Sequence, residues 1–373
     1  MRIRVGIIFG GRSGEHDISI RSAKTVIEQI DPSKYEVVPV AISDQGFWLN
    51  PSASIELLSS DTDGKFVNDI GRLSGDVALI GDPRYRGLKA LHSNELQSID
   101  VVFPVLHGTY GEDGTIQGLL EMADIPYVGC GVLSSSCGMD KSVMKLLFAA
   151  VGLPICRHYT LSRSRWEQDE ESAISEIEEA IGYPCFVKPA NLGSSVGISR
   201  AENSEQLKTA IDLAKQFDRK VIIEEALKMR EIECAVLGNE DPIASLPGEY
   251  VIKDRSKAFL DYTEKYEGTG NNEFVVPAPV SEELSNKIRE MAVRAFKAID
   301  GSGLARVDFF LRTDNGALLV NEINTMPGLT SASGYPKMWA GSGKVFSRVI
   351  DELIELAIER HKDKSRNKTS REP

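Results

Sequence analysis

One segment constrains this chain more than any other. Arg306-Val307-Asp308-Phe309-Phe310-Leu311 is followed, after Thr313-Asp314-Asn315-Gly316, by Leu318-Leu319-Val320-Asn321-Glu322-Ile323-Asn324 and then Thr325-Met326-Pro327-Gly328. Alternating runs on either side of an Asp-Asn-Gly turn read as a β-hairpin. If Asp314, Asn315 and Gly316 form a three-residue loop with Gly316 left-handed, Thr313 pairs with Ala317. That register sets Asp308 opposite Glu322 and Arg306 opposite Asn324. Strand side chains alternate, so these four share one face, while Val307, Phe309 and Leu311 occupy the other and pack inward. Two carboxylates and an amide oxygen are hard donors suited to Mg²⁺, which keeps waters and substrate phosphates as its other ligands. On an ordinary surface hairpin such residues merely face water. Here residues 324–333, rich in glycine, proline and hydroxyls, have the composition of a binding loop. The hairpin therefore points to a phosphate-handling enzyme.

With 373 residues, the chain is long enough for two or three domains. Its net charge of −12 and pI near 5.1 disfavour a general role on nucleic acid or anionic membranes and favour small-molecule partners. Cys130, Cys137, Cys156, Cys185 and Cys234 lack CxxC spacing, so neither a disulfide framework nor a zinc site is expected. The apolar run 5–9 is too short for a signal-peptide core, and no stretch could span a membrane. Cytoplasmic residence is the expectation.

Residues 3–9, the loop Gly10-Gly11-Arg12-Ser13-Gly14 and a helical pattern from Asp17 open the chain as strand, glycine loop and helix. Strands at 36–42 and 100–106 with a helix at 113–122 extend this into a parallel sheet covered by helices. A helix over 134–151, stopped by Gly152-Leu153-Pro154, bridges to a second unit. That unit holds strands at 185–188, 197–200 and 220–225 and a helix at 204–217. Beyond it come a strand near 232–237, a polar segment at 253–272, a helix at 281–299, the hairpin, a helix at 344–358 and a charged, frayed tail at 361–373. The division is 1–133, 134–225 and 226–373, an α/β architecture.

Several further constellations carry chemistry. The loop Gly10–Gly14 resembles a dinucleotide turn but lacks the full GxGxxG spacing, so a dehydrogenase reading rests on it alone. Glu15 beside it either caps the helix or offers a carboxylate to a substrate ammonium. Lys188 ends a strand before Asn191-Leu192-Gly193-Ser194-Ser195-Val196-Gly197, a loop rich in phosphate-binding donors yet not a P-loop. Glu224, Glu225, Ala226 and Leu227 followed by Glu231 fit a strand exit that meets a nucleoside. Residues 261–270, with two tyrosines, read as an active-site lid. His107 directly follows a strand, where α/β proteins place ligand sites, and is a candidate substrate contact.

In order, the chain carries GGRSGEHDIS, LHGTYGEDGTIQGLLE, MDK, FVKPANLGSSVG, IIEE, EIECAVLGN, DYTEKY, ARVDFF and NEINTMPGLTS, and with them it resembles the D-alanine:D-alanine ligases over residues 3–357. The resemblance implies an ATP-grasp fold of three α/β domains, with ATP between the central and carboxy-terminal lobes. It places ATP contacts at Lys141, Lys188, Glu224, Ala226, Leu227, Glu231 and Phe259, and ligands for a pair of Mg²⁺ ions, for which Mn²⁺ can substitute, at Asp308, Glu322 and Asn324. It implies that Glu15, Ser194 and Tyr266 orient the first D-alanine, that Lys265 and Ser333 face phosphate and the second substrate's carboxylate, and that Arg306 with the Gly328 N–H stabilises the oxyanion. Loops at 192–196 and 262–272 would close to exclude water. The implied context is peptidoglycan precursor synthesis, hence cell-wall biogenesis and cell shape, by a homodimer.

Two features depart from relatives. Gly334 stands where many carry a bulkier apolar residue, and the Asp308-to-Glu322 spacing is one residue longer than in some, which the three-residue loop would absorb. Tyr266 favours the dipeptide over a D-alanyl-D-lactate product. The rival readings are a D-alanine:D-lactate ligase, another ATP-grasp carboxylate:amine ligase, and a nucleotide sensor with a degenerate site.

Overall fold

The computed structural model describes residues 2–59, 77–193, 196–252 and 272–368. The first sheet is parallel. Ile3–Gly10 lies at its centre between Tyr35–Ile42 and Val101–Val105. Val5, Ile7, Ile8 and Phe9 are completely buried, as expected of a strand covered on both faces. Gly10 and Gly11 end it at φ +85° and +94°, and a Cβ on Gly10 would sit 2.3 Å from the Ile42 carbonyl oxygen. Only glycine tolerates that combination. The helix His16–Gln29 follows at once.

The second sheet is antiparallel, in the order His158–Ser162, Lys220–Glu225, Cys185–Pro189, Ser199–Ala201. Helices Glu170–Ala180 and Ser204–Ala214 close its core with Ile177, Leu207 and Ile211. The third sheet runs Asn272–Val275, Gly248–Ile252, Met229–Gly238, Gly303–Arg312, Leu318–Asn324, with Ile243–Ala244 added to Met229–Gly238. The amphipathic helix Glu282–Ala298 buries Ile288, Met291, Ala292, Ala295 and Phe296 beneath it. Val307 and Phe309 meet that helix fully buried, each contributing ~1.5–3 kcal/mol of apolar burial.

The structure corrects two expectations. The helix expected over 134–151 is two helices, Val132–Met139 and Lys141–Ala150. Asp140 between them is extended, and its carboxylate accepts the N–H groups of Ser142 and Val143. The N-cap aspartate lies inside an apolar pattern, and periodicity alone does not reveal the break. These helices, grouped by sequence with the central unit, place Met144 and Phe148 in the core of the third sheet. Finally, the tail expected to fray from 361 continues the helix Phe346–Lys364. His361 and Lys364 hold Asp124 and Glu121 at 2.9 and 2.5 Å, across to the first sheet's side of the molecule. The strands Val77–Leu79, Gly87–Ala90 and Leu96–Ser98 and the helices Pro51–Ser59 and Gly334–Gly341 were not foreseen.

Candidate active site

The hairpin pairs Arg306 with Asn324 and Asp308 with Glu322, as expected, but reaches that register by another route. Thr313 does not pair with Ala317. Its N–H bonds the Lys228 carbonyl at 2.9 Å, and Arg312 takes the Ala317 carbonyl at 2.9 Å instead. The turn is therefore one residue wider, with Gly316 left-handed at φ +72°. Leu311 faces Leu318, Phe310 faces Leu319 and Phe309 faces Val320, one step out of the expected register. A β-bulge at Asn321 then restores it, since Asn321 and Glu322 together oppose Asp308. The extra residue in the spacing is thus absorbed in the strand rather than in the loop. Without the bulge, Glu322 would turn toward the apolar layer.

On this face Arg306 grips Asp308 with Nε and a terminal nitrogen, both at 2.7 Å, and Asn324 donates to the same carboxylate at 3.1 Å. The neighbouring strand contributes Glu233, which opposes Asp308 in register and lies 3.4 Å from the Arg306 Nε. Asp308 and Glu322 side chains are 14% and 29% exposed, so both are reachable from the cleft. Among the described residues no three His, Cys, Asp or Glu side chains converge on one point. The donor set here is two carboxylates and an amide, which leaves most of a cation's shell to phosphate oxygens and water. That is how Mg²⁺ is commonly held, so the residues present fit it.

A second charged cluster backs the same cleft. Glu224, 2% exposed, receives Lys188 at 2.6 Å and Lys145 at 3.0 Å. Burial opposes its ionisation, but the two ammonium groups outweigh burial and hold its carboxyl far below the usual range. Lys141, at the start of its helix, donates to the Leu192 carbonyl at 2.8 Å and lies 3.9 Å from Glu322. Leu227 and Glu231 line the cleft. Ala226 does not line it, and its N–H is donated to the Pro184 carbonyl.

At the other end Glu15 occupies the N-cap position of its helix without making a side-chain cap hydrogen bond, so simple capping is not its role. Its carboxylate points instead between two chain segments. A Cβ would come within 2.7 Å of it from Gly108 and 3.2 Å from Gly193. His107 lies in the cleft wall, 3% exposed, with Nδ1 at 3.0 Å from the Met326 carbonyl and Nε2 at 3.0 Å from Ser22 Oγ. Both ring nitrogens are engaged by the protein. Glu112, 3.6 Å from His107, has its carboxyl pushed up by burial, an effect that the His107 hydrogen bond moderates and the Glu15 charge reinforces. Ser333 precedes the helix Gly334–Gly341, and its hydroxyl is held by Thr330 at 2.8 and 3.2 Å. Gly328 packs against it, since a Cβ there would fall 2.8 Å from Ser333 Oγ.

Gly334 now has a physical reason. A Cβ on it would lie 2.5 Å from Glu233 Oε2 and 2.9 Å from the Phe274 ring. Ser194, Phe259, Lys265 and Tyr266 lie outside the described residues, as do the lid segment 261–270 and nearly all of its expected span to 272. The cleft brings together Glu15, His107, Lys141, Lys188, Glu224, Leu227, Glu231, Arg306, Asp308, Glu322, Asn324, Gly328 and Ser333. Sequence reasoning missed Glu112, Glu233, Tyr250 and Lys145. Glu233 was findable, two residues after Glu231 on the same strand face. Lys145 sits one helical turn after Lys141, but on an apolar helix a single lysine reads as solvated.

A cleft between an antiparallel sheet bearing Lys188 and a third sheet bearing the Asp308–Glu322 pair is the arrangement of an ATP-grasp protein. The sequence narrows this further. Residues 4–130 match the D-ala D-ala ligase N-terminus family and residues 147–355 match its C-terminus. The chain is 45% identical over 369 residues to the D-alanine–D-alanine ligase of Natranaerobius thermophilus, covering 99% of this chain and 98% of the relative. It is 47% identical over 364 residues to that of Geobacillus thermodenitrificans, covering 98% of each. Among solved structures, the D-alanine-D-alanine ligase from Coxiella burnetii superposes with TM-score 0.81 at 35% identity over 98% of both chains. The VanG D-Ala:D-Ser ligase from Enterococcus faecalis gives 0.84 at 37% identity, covering 96% of this chain and all of that one. The chain belongs to the D-alanine–D-alanine ligase family.

Proposed function

We propose that this protein joins two D-alanine molecules into D-alanyl-D-alanine at the expense of ATP, through a D-alanyl phosphate, and supplies a peptidoglycan precursor. The observation that carries the reading is the convergence of Asp308, Glu322, Asn324 and Arg306 on one hairpin face opposite Lys188 and Lys141. In this scheme Glu15 receives the ammonium of the first D-alanine and His107 fixes the wall behind it. The carboxylate oxygen of that D-alanine attacks the γ-phosphorus and ADP leaves. Lys188 and Lys141 offset charge on the phosphates, while Glu231 and Leu227 hold the nucleoside. The amine of the second D-alanine, having lost its proton, then attacks the acyl carbon, and inorganic phosphate leaves. Ser333 positions the second carboxylate, and Arg306 with the Gly328 N–H stabilises the tetrahedral oxyanion.

Mg²⁺ held by Asp308, Glu322 and Asn324 would supply neutralisation of the transferring phosphate. In the same reading Ser194, Lys265 and Tyr266 complete the substrate end, and Phe259 the nucleotide end. The three units 1–133, 134–225 and 226–373 act as substrate, covering and metal-bearing domains, and the enzyme works in the cytoplasm as a homodimer. Among the described residues no helix is long and apolar enough to cross a membrane.

The test is product identity. Purified protein with ATP, Mg²⁺ and D-alanine should yield dipeptide and ADP together, and chelation should stop both. Parallel reactions with D-serine or D-lactate added should leave dipeptide dominant. A predominant mixed product would move the assignment to that second substrate, and ADP release independent of D-alanine would overturn it.

A further inference from the structure

Among the described residues Lys145 is the most buried lysine near the cleft, with 0% of its surface exposed and no share in the cleft lining. Its ammonium has three protein partners, one ionic and two through hydrogen bonds. It forms an ion pair with Glu224 Oε1 at 3.0 Å and donates to the Asn321 carbonyl at 3.3 Å and to Cys156 Sγ at 3.4 Å. These partners belong to separate parts of the machinery. Glu224 also binds Lys188, the lysine facing the phosphate end of the cleft. Asn321 is the bulge residue that turns Glu322 onto the same face as Asp308. Cys156 leads into the second sheet.

We infer that Lys145 is a positioning residue that couples the nucleotide-binding lysine Lys188, through Glu224, to the cation-binding carboxylate Glu322, through the Asn321 carbonyl. This rests on the proposed reading of those two subsites.

The geometry fixes what its loss does. Without Lys145, Glu224 keeps one cation instead of two and draws Lys188 harder toward itself, away from a phosphate. At the same time the bulge carbonyl loses a charged donor, and Glu322 is held less firmly in line with Asp308. A buried lysine that only filled space would have neither effect. Its removal would lower stability and leave the dependence on nucleotide and cation as it was. Burial works against charge on Lys145, but Glu224 outweighs it and keeps the ammonium protonated well above its ordinary range. The link is therefore ionic at every working pH.

The experiment uses full-length protein and calorimetric titration with Mg²⁺ and a non-hydrolysable ATP analogue, beside steady-state kinetics. Wild type serves first, because failure to bind the analogue would sink the subsite reading itself. With binding established, Lys145→Met should weaken analogue affinity about tenfold and raise the Mg²⁺ concentration for half-maximal binding by a similar factor. KM for D-alanine should change less than about twofold. Lys145→Gln, which keeps a donor for Asn321, should recover part of the Mg²⁺ dependence and less of the nucleotide affinity. Folded variants with wild-type nucleotide and Mg²⁺ titrations would overturn the coupling. Loss of fold in both variants would also overturn it, since Lys145 would then serve the core as a whole.

Discussion

Two acid clusters face the same cleft and differ in how far each is closed off from solvent. Glu224 is sealed in, 3% exposed, with two lysines on its two oxygens. Asp308 and Glu322 are several times more exposed; Arg306 and Asn324 both reach Asp308, and among the described residues Lys141 lies 3.9 Å from Glu322. In the proposed reading the difference separates an anchor from a ligand. A buried carboxylate saturated with cations cannot release them without leaving charge uncompensated, whereas a half-open pair can accept a cation from solution. Residue type alone does not make this distinction, since both clusters are acids on strands beside lysines.

The comparison can be broken most directly at Asp308. Asp308→Asn should cut turnover about 10³-fold while the circular dichroism spectrum and unfolding midpoint stay near wild type, because only a ligand charge is removed. Near-normal turnover in a folded variant would reject the ligand role. Glu224→Gln should do the reverse in kind, destabilising the protein by ~3 kcal/mol in urea unfolding, because two buried ammonium groups lose their shared counter-charge. A loss no larger than that of Asp308→Asn would erase the distinction between the clusters.

The smallest effect sharpens the boundary behind them. Asp140 caps the helix that carries Lys141 and Lys145 and pairs with Lys220. Burial opposes ionisation of its carboxyl, yet Lys220 and the Val143 N–H outweigh burial and hold it below the ordinary aspartate range. A depressed acid stabilises the fold above its unfolded value and ceases to as pH falls through its folded one. Asp140→Ala should therefore cost ~1 kcal/mol at pH 7, and the gap in melting temperature from wild type should close only below about pH 4. A gap unchanged at pH 3 would show that the charge is not what matters.

Much of this was legible in sequence because it depends on local alternation. The glycine turn after the first strand and the apolar face of the hairpin follow from period and turn chemistry. What stayed hidden depends on partners far along the chain. Thr313 forgoes the expected loop because Lys228 offers its carbonyl, and the bulge at Asn321 compensates, so the correct site register was anticipated through an incorrect turn. Asp140 breaks a helix that its apolar flanks would continue. The burial of Lys145 requires Glu224, Cys156 and Asn321 to meet, and no window of sequence contains them together. For Glu15 the sequence left open a cap or a substrate contact, and only its carboxylate's place against Gly108 and Gly193 removes the cap.

The last helix, Phe346–Lys364, joins the core beneath the first sheet, where Val349, Ile350, Leu353 and Ile354 pack with Val5, Ile7 and Val101. Arg360 on the same helix stacks 4.4 Å from the Tyr127 ring and donates to the Tyr127 carbonyl at 2.9 Å. During synthesis the first sheet emerges long before its cover does. At ~5–20 residues per second the interval is on the order of tens of seconds. Over that time apolar strands that are fully enclosed in the finished protein have one flank open, so the nascent chain is most exposed to misassociation in the part of the molecule made first.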